Sequence, residues 1–344
     1  MKIDEAAAGD ELSGPLDFGF TMGYEADDEA RYKCTYNEVR MRYVMGIQLM
    51  LEMQCKALVE SFGVTPLICG LASSIWLRFV AASQVFDDDW ADNAISESEV
   101  RNSGLPEDIE HPPRFYREFR NSHGERAIMI WYKSLRKMIP LSSSLAVSYL
   151  ACHVARESVL STDILKGTLE GKLPYLAAFT EIEKLFASHS NVFPLSANFM
   201  FRPSEVVPVQ KLQAMAAQVA DTIGLELPPV NFHAIASRYL KQMSLPVEKI
   251  LHHADRVVDW SMPAELWLSV NESRLPSRIY VMAVLIVSIR IVYNIHGFGV
   301  WEKSLCNHER RFDSKVSSQP RSECSGGARK FFLRGQNYII KHLG

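Results

Sequence analysis

The sequence is most informative first in what it lacks. Its six cysteines, at positions 34, 55, 69, 152, 306 and 324, form no C-x-x-C pair. That excludes the usual zinc ribbon or finger and gives no disulfide framework. Cys306, His308 and Cys324 are too sparse for a zinc site, so no metal and no cofactor are expected. The N-terminus is acidic rather than basic-then-apolar, which excludes a secretory signal at that end and points to a reducing compartment. A net charge of −3 excludes a chain coated in positive charge, although a local basic face on a neutral body stays open.

Long apolar runs are also scarce. One exists, residues 275–301, LPSRIYVMAVLIVSIRIVYNIHGFGVW. Pro276 suits a first helical turn and His296-Gly297 a stop. A membrane span needs about 20 uninterrupted apolar residues. This run is shorter and contains Arg290 and Asn294, so no membrane is expected as a partner. A helix that is apolar all round belongs at the centre of a helical domain. The sequence therefore predicts that residues 280–293 are enclosed by neighbouring helices.

The remainder reads as helices with polar connections. Residues 1–35 are acidic and read as a disordered arm, which cannot bury enough apolar surface to order itself. Residues 36–62 predict a helix with Gln48, Glu52, Lys56 and Glu60 on its polar stripe. Gly63 and Pro66 end it, and residues 67–85 predict a second, largely buried helix. Further helices are predicted at 125–139, 142–160, 164–170 and 174–186, then at 209–223, 231–240, 246–258 and from 276. Residues 194–208, rich in Pro, Ser and Asn, read as a linker, and about 93–113 as a polar insertion. Residues 304–344 read as a basic, disordered tail.

Two patterns carry candidate chemistry. Asp88, Asp89 and Asp92 spell D-D-x-x-D, a spacing with which magnesium-dependent, all-helical prenyl-diphosphate enzymes hold their metal. Such an enzyme needs a second acidic site, and Asp255 with Asp259 lacks the accompanying residues, so an acidic turn is the favoured reading. On the 125–139 helix, Ile128, Trp131, Tyr132, Leu135 and Ile139 fall on one face. Arg126, Lys133 and Lys137 fall on the other with Arg136 nearby, either a solvated face or a surface that tracks phosphates. His153, His189 and the His252-His253 pair read as structural or surface histidines.

Two long runs also carry a resemblance. Residues 66–92, PLICGLASSIWLRFVAASQVFDDDWAD, with LACHVARESVLSTDILKGTLEGKLPYLAAF at 150–179, form the first. The second starts at 225 and includes LELPPVNFHAIASRYLKQMSLP and LPSRIYVMAVLIVSIRIVYNIHGFGVWE, the apolar run itself. Over about residues 36–303 the chain resembles the plant-type B subunit of the TATA-box-binding-protein-associated factors of RNA polymerase I, in the transcription factor IIB-like group. The resemblance implies an all-α fold of two tandem cyclin-like repeats, at 36–193 and 209–303. The second is expected to be incomplete, since the likeness stops after Lys303. It implies no enzyme but an initiation subunit in the nucleus and nucleolus, bridging the ribosomal DNA promoter, TATA-box-binding protein, other core-factor subunits and RNA polymerase I. The zinc ribbon and basic reader segment of the family have no counterpart here.

On that reading DNA is held through phosphates, by Arg126, Lys133, Arg136 and Lys137 in the first repeat and Arg238, Lys241, Arg274 and Arg278 in the second. A cyclin-like adaptor that binds protein without touching DNA is the alternative.

Overall fold

The computed structural model describes residues 21–102, 126–187 and 195–295. These form twelve α-helices and one 3-10 turn, with no strand among the described residues. Residues 1–20, the RFYREFR run at 114–120, His189, and the tail at 304–344 with Cys306, His308 and Cys324 lie outside them.

Helix α1 (Thr21–Phe62) starts fifteen residues ahead of the predicted Tyr36, inside the stretch read as an unstructured arm. The added turns contain Ala26, Glu29, Ala30, Arg31 and Lys33. These are good helix formers, and extending an existing helix avoids the cost of a new nucleus. Its end at Phe62, before Gly63, is where the sequence puts it. The polar stripe Gln48, Glu52, Lys56 and Glu60 is exposed as expected.

Two compact units divide the chain. One comprises residues 1–45 and 84–140. It holds the first part of α1, a turn at 84–89, α3 (Trp90–Asn102) and α4 (Ala127–Met138). α3 occupies the whole described part, 93–102, of the stretch expected to be a polar insertion; Trp90, Ala91 and Ala94 bury a short apolar edge that its polar composition masks. Trp131 and Tyr132 of α4 meet Tyr36 and Tyr43 of α1 edge-on, with ring centroids 5.9 and 6.1 Å apart. The Tyr43 hydroxyl donates to the Ile139 carbonyl at 2.7 Å, and the Trp131 indole N–H to Ala91 at 3.3 Å. Arg40 is buried, and its partners among the described residues are carbonyls and rings. It donates to the carbonyls of Val85 and Asp87 and lies 5.2 Å from both the Tyr36 and Phe86 rings, which fixes the acidic turn.

The other unit comprises residues 46–83 and 141–344. It contains the rest of α1, α2 (Leu67–Ala82), α5 (Ser143–Val154), α6 (Ser161–Leu169) and α7 (Ala178–Ala187). Then follow α8 (Ala197–Phe201), α9 (Val209–Thr222), α10 (Phe232–Gln242) and α11 (Val247–Ser261). A 3-10 turn (Ala264–Leu266) and α12 (Ser277–Val292) complete it. α8 lies within the expected linker, yet its Met200 and Phe201 are buried. Gly46 of α1 is what admits Phe201: a Cβ there would fall 2.1–2.8 Å from the Phe201 ring.

The helix enclosed on every side is α5, packed against α2, α6 and α9, with every residue from Ser143 to His153 buried. Its small side chains let neighbours approach closely. Two of its hydroxyls meet the fully buried Gln54, whose amide donates to Ser144 (3.1 Å) and accepts from Ser148 (3.0 Å). The expected enclosure of residues 280–293 is thereby corrected. α12 packs on α10, α11 and the 3-10 turn through Val281, Val284, Leu285 and Ser288. Ile279, Val287 and Ile291, on the other side, are about half exposed, at 51, 45 and 54 %. All-round apolarity permits enclosure but does not supply neighbours. No helix among the described residues is long and apolar enough to cross a membrane.

Candidate nucleic-acid interface

The first group of basic candidates lies on α4. Arg126 is the exposed N-cap, with extended backbone. Lys133 and Lys137 are exposed one turn apart, on the side opposite buried Ile130, Trp131 and Leu135. The amphipathic pattern is thus real. The charge it presents is moderated, because α3 sets Glu97 3.3 Å from the Lys137 ammonium. Both groups are well exposed, so this pair holds little energy and is open to exchange for a phosphate. Arg136 is half-buried, over the Tyr132 ring at 5.9 Å. Burial raises the Tyr132 phenol above its usual range, opposed by the Arg136 charge. Arg136 and Lys137 also stand in the last turn of α4, where a cation favours the helix dipole.

The second group belongs to the other unit. Arg238 of α10 donates to the Asp163 carboxylate at 2.7 Å, with both side chains about a quarter exposed, and stacks on Tyr239 at 5.1 Å. Asp163 also accepts from the Leu160 N–H at 2.8 Å, so it starts α6 and anchors α10 together. Arg238 is therefore already engaged inside the protein. Arg278, in the first turn of α12, joins it near Tyr239, where both cations oppose the upward push of burial on that phenol. Lys241 is exposed in the last turn of α10. Arg274 sits in the loop before α12, with a guanidinium nitrogen 3.5 Å from the Trp267 carbonyl.

Sequence reasoning missed a polar seam that ties Arg78, His153 and Arg156 to residues 223–231. The Arg78 guanidinium donates to the Ile223 carbonyl at 3.0 Å. His153 bonds the Pro228 carbonyl through Nε2 at 2.8 Å, which requires that nitrogen to carry the proton. Arg156 reaches the Pro229 carbonyl, and the Asn231 amide donates to the Arg156 carbonyl at 2.6 Å. Burial lowers the His153 pKa below its ordinary 6.5. Pro228-Pro229 offered the available sequence signal, two carbonyls that no helix could use.

The acidic turn presents Asp88 and Asp89 to solvent, with exposed Asp92 in the first turn of α3. Asp255 is held by His233 at 2.9 Å. No group of three or more His, Cys, Asp or Glu side chains able to hold a metal occurs among the described residues. The depression beside the start of α11, about 790 Å³, is lined by Pro246, Val247, Glu248, Lys249, His252 and His253. Its lining has no paired acids, and it opens broadly to solvent.

Comparison with known proteins fixes the family. A family model described as the Rrn7/TAF1B N-terminal cyclin domain matches residues 47–184. A protein of Arabidopsis thaliana, named as the B subunit of the RNA polymerase I TATA box-binding protein-associated factor, is 49 % identical over 296 residues, 86 % of this chain and 43 % of that protein. Proteins of the same name from the indica and japonica subspecies of Oryza sativa are each 48 % identical over 264 residues, 77 % of this chain and 42 % of theirs. The chain thus spans less than half the length of the curated relatives it matches. No solved structure matches. An all-helical chain with a cyclin domain around α5, similar through most of its length to those plant proteins, belongs to the B-subunit family of the TATA box-binding protein-associated factors of RNA polymerase I.

Proposed function

We propose that this chain serves transcription initiation by RNA polymerase I in the nucleus, and within it the nucleolus, as a subunit that joins the ribosomal DNA promoter, TATA-box-binding protein and the polymerase. The observation that carries the reading is identity near one half across most of the chain with plant proteins of that name. The role is one of assembly, with no bond made or broken.

Binding to DNA runs through phosphates. Lys133 and Lys137 support it best, being exposed one turn apart on a rigid helix, with Arg126 and Arg136 beside them. Lys241, Arg274 and Arg278 are the phosphate ligands of the second group, while Arg238 serves chiefly to hold Asp163. Removing one cation that neutralises a phosphate flattens the plot of log K against log salt by about 0.9. Lys133→Glu with Lys137→Glu should therefore lower affinity for a ribosomal promoter duplex and flatten that plot by roughly two. An unchanged slope removes α4 from the interface.

The adaptor reading draws on a specific feature, the exposed apolar side chains Leu67 and Leu77 on α2. It is favoured if the wild-type chain shows no salt-dependent retention on DNA at all.

A further inference from the structure

Tryptophan is the largest side chain in the protein, and its placement is uneven. Of the five tryptophans among the described residues, Trp76, Trp90 and Trp131 are buried, whereas Trp260 and Trp267 are 76 % and 44 % exposed. Leaving two indoles in water forgoes the burial that stabilises the other three. Both stand where α11 gives way to α12. Met262 closes α11 in the left-handed region, φ +37°, a place usually taken by glycine, with its N–H on the Val258 carbonyl at 2.8 Å. The Ser261 and Tyr280 hydroxyls bond at 2.7 Å, which pins that end of α11 to the first turn of α12. Pro263 is buried, and the 3-10 turn leads straight to Trp267. The two indoles are thus held on a tight connection, at most about 25 Å apart along the chain between them.

Each indole has an arginine beside it. The Arg256 guanidinium lies over the Trp260 ring at 5.2 Å. Trp267 walls a depression with Gln210, Glu265, Asn271 and Arg274, and a guanidinium nitrogen of Arg274 is 3.5 Å from the Trp267 carbonyl. An aromatic face beside amide, carboxylate and guanidinium groups suits a nucleobase, which stacks through its face and hydrogen-bonds through its edge.

The charges at this end balance, with Asp259, Glu265 and Glu272 set against Arg256, Arg274 and Arg278. That leaves no surplus to track a duplex, whose base faces are in any case stacked on one another. It also puts charged groups among the apolar ones, whereas the core of a protein–protein interface is depleted of charge. We propose that Trp260 and Trp267, with Arg256 and Arg274, form a stacking site for unpaired DNA. The proposal rests on the promoter reading above and narrows its second group of cations, Arg274 and Arg278 meeting the phosphates of a single strand.

The test uses the full chain and an oligo(dT) of about twelve nucleotides, within the site size of single-strand binders. Titration should quench the intrinsic tryptophan fluorescence. Trp260→Ala and Trp267→Ala should each weaken binding about tenfold, the loss of one stacked base, and the double variant should abolish the quenching. Both side chains are exposed, so helical circular dichroism should stay unchanged. A ribosomal promoter duplex measured alongside separates the two readings. Duplex retained with no binding of oligo(dT) overturns this proposal alone. Oligo(dT) binding that needs both tryptophans, without duplex retention, supports it and counts against the duplex reading. Quenching that survives the double variant overturns the proposal, as does sedimentation in which Trp260→Ala dissolves a self-associated form, the mark of a protein interface.

Discussion

Arg238 offers the sharpest prediction because sequence and structure use its charge differently. Its guanidinium makes a 2.7 Å bond to Asp163, with the two side chains 24 % and 23 % exposed, and lies over the Tyr239 ring. A hydrogen bond between charged groups in this setting contributes about 1.5–3 kcal/mol, and a partly covered cation–π contact about 0.5–1. Arg238→Ala should therefore cost roughly 2–3 kcal/mol of folding stability. Asp163→Ala should cost a similar amount, since it also removes the acceptor that caps the Leu160 N–H, worth about 1 kcal/mol. The double variant should cost less than the sum by about 1–2 kcal/mol, the coupling of groups in direct contact. Urea unfolding of the four proteins followed by circular dichroism measures that cycle. Lys241→Ala, one turn away and exposed, should leave stability within about 0.5 kcal/mol and weaken promoter binding. A coupling below about 0.3 kcal/mol would refute the structural role of the Arg238–Asp163 pair, as would an Arg238→Ala protein that folds normally but loses DNA.

Gly46→Ala should destabilise by about 1–2 kcal/mol despite the better helix propensity of alanine, because the new Cβ meets the buried Phe201 ring; Phe201→Leu in the same chain should recover part of the loss in urea. Burial pushes the Cys55 thiol up to about 12 and the Cys152 thiol up as well. At pH 8 iodoacetamide should therefore modify exposed Cys69 in the native protein well before either of them, as read by peptide mass mapping. Buried His153 holds its proton less readily folded than unfolded, so stability is full above the unfolded value of 6.5 and declines as pH falls through it. The decline between pH 7 and 5 should shrink in His153→Asn, measured as the shift in thermal midpoint.

Helix periodicity was legible where a polar stripe faced an apolar one. The ends of α1, α9 and α10 follow from Gly63, Gly224 and the Asn231 side chain, which accepts from the Ala234 N–H. Periodicity says nothing where burial depends on a distant partner. Ser144 and Ser148 are buried beside Gln54, some ninety residues away, which bonds both. The same logic hid α8, because a five-residue helix in a Pro- and Ser-rich stretch gives no period to detect. Of the candidate cations, Lys133 and Lys137 were legible as exposed from the α4 pattern, whereas the Arg238–Asp163 pair joins residues 75 positions apart.

By itself the sequence determined an all-helical chain, most of its helix ends and its family, since these reside in local spacing and in long runs of side chains. Only the tertiary structure decided which helix is enclosed, which cations are spent internally and which face of α12 the other described helices cover. Each of those depends on how far apart in space residues distant in the chain come to rest, and hydropathy counts side chains without counting their neighbours.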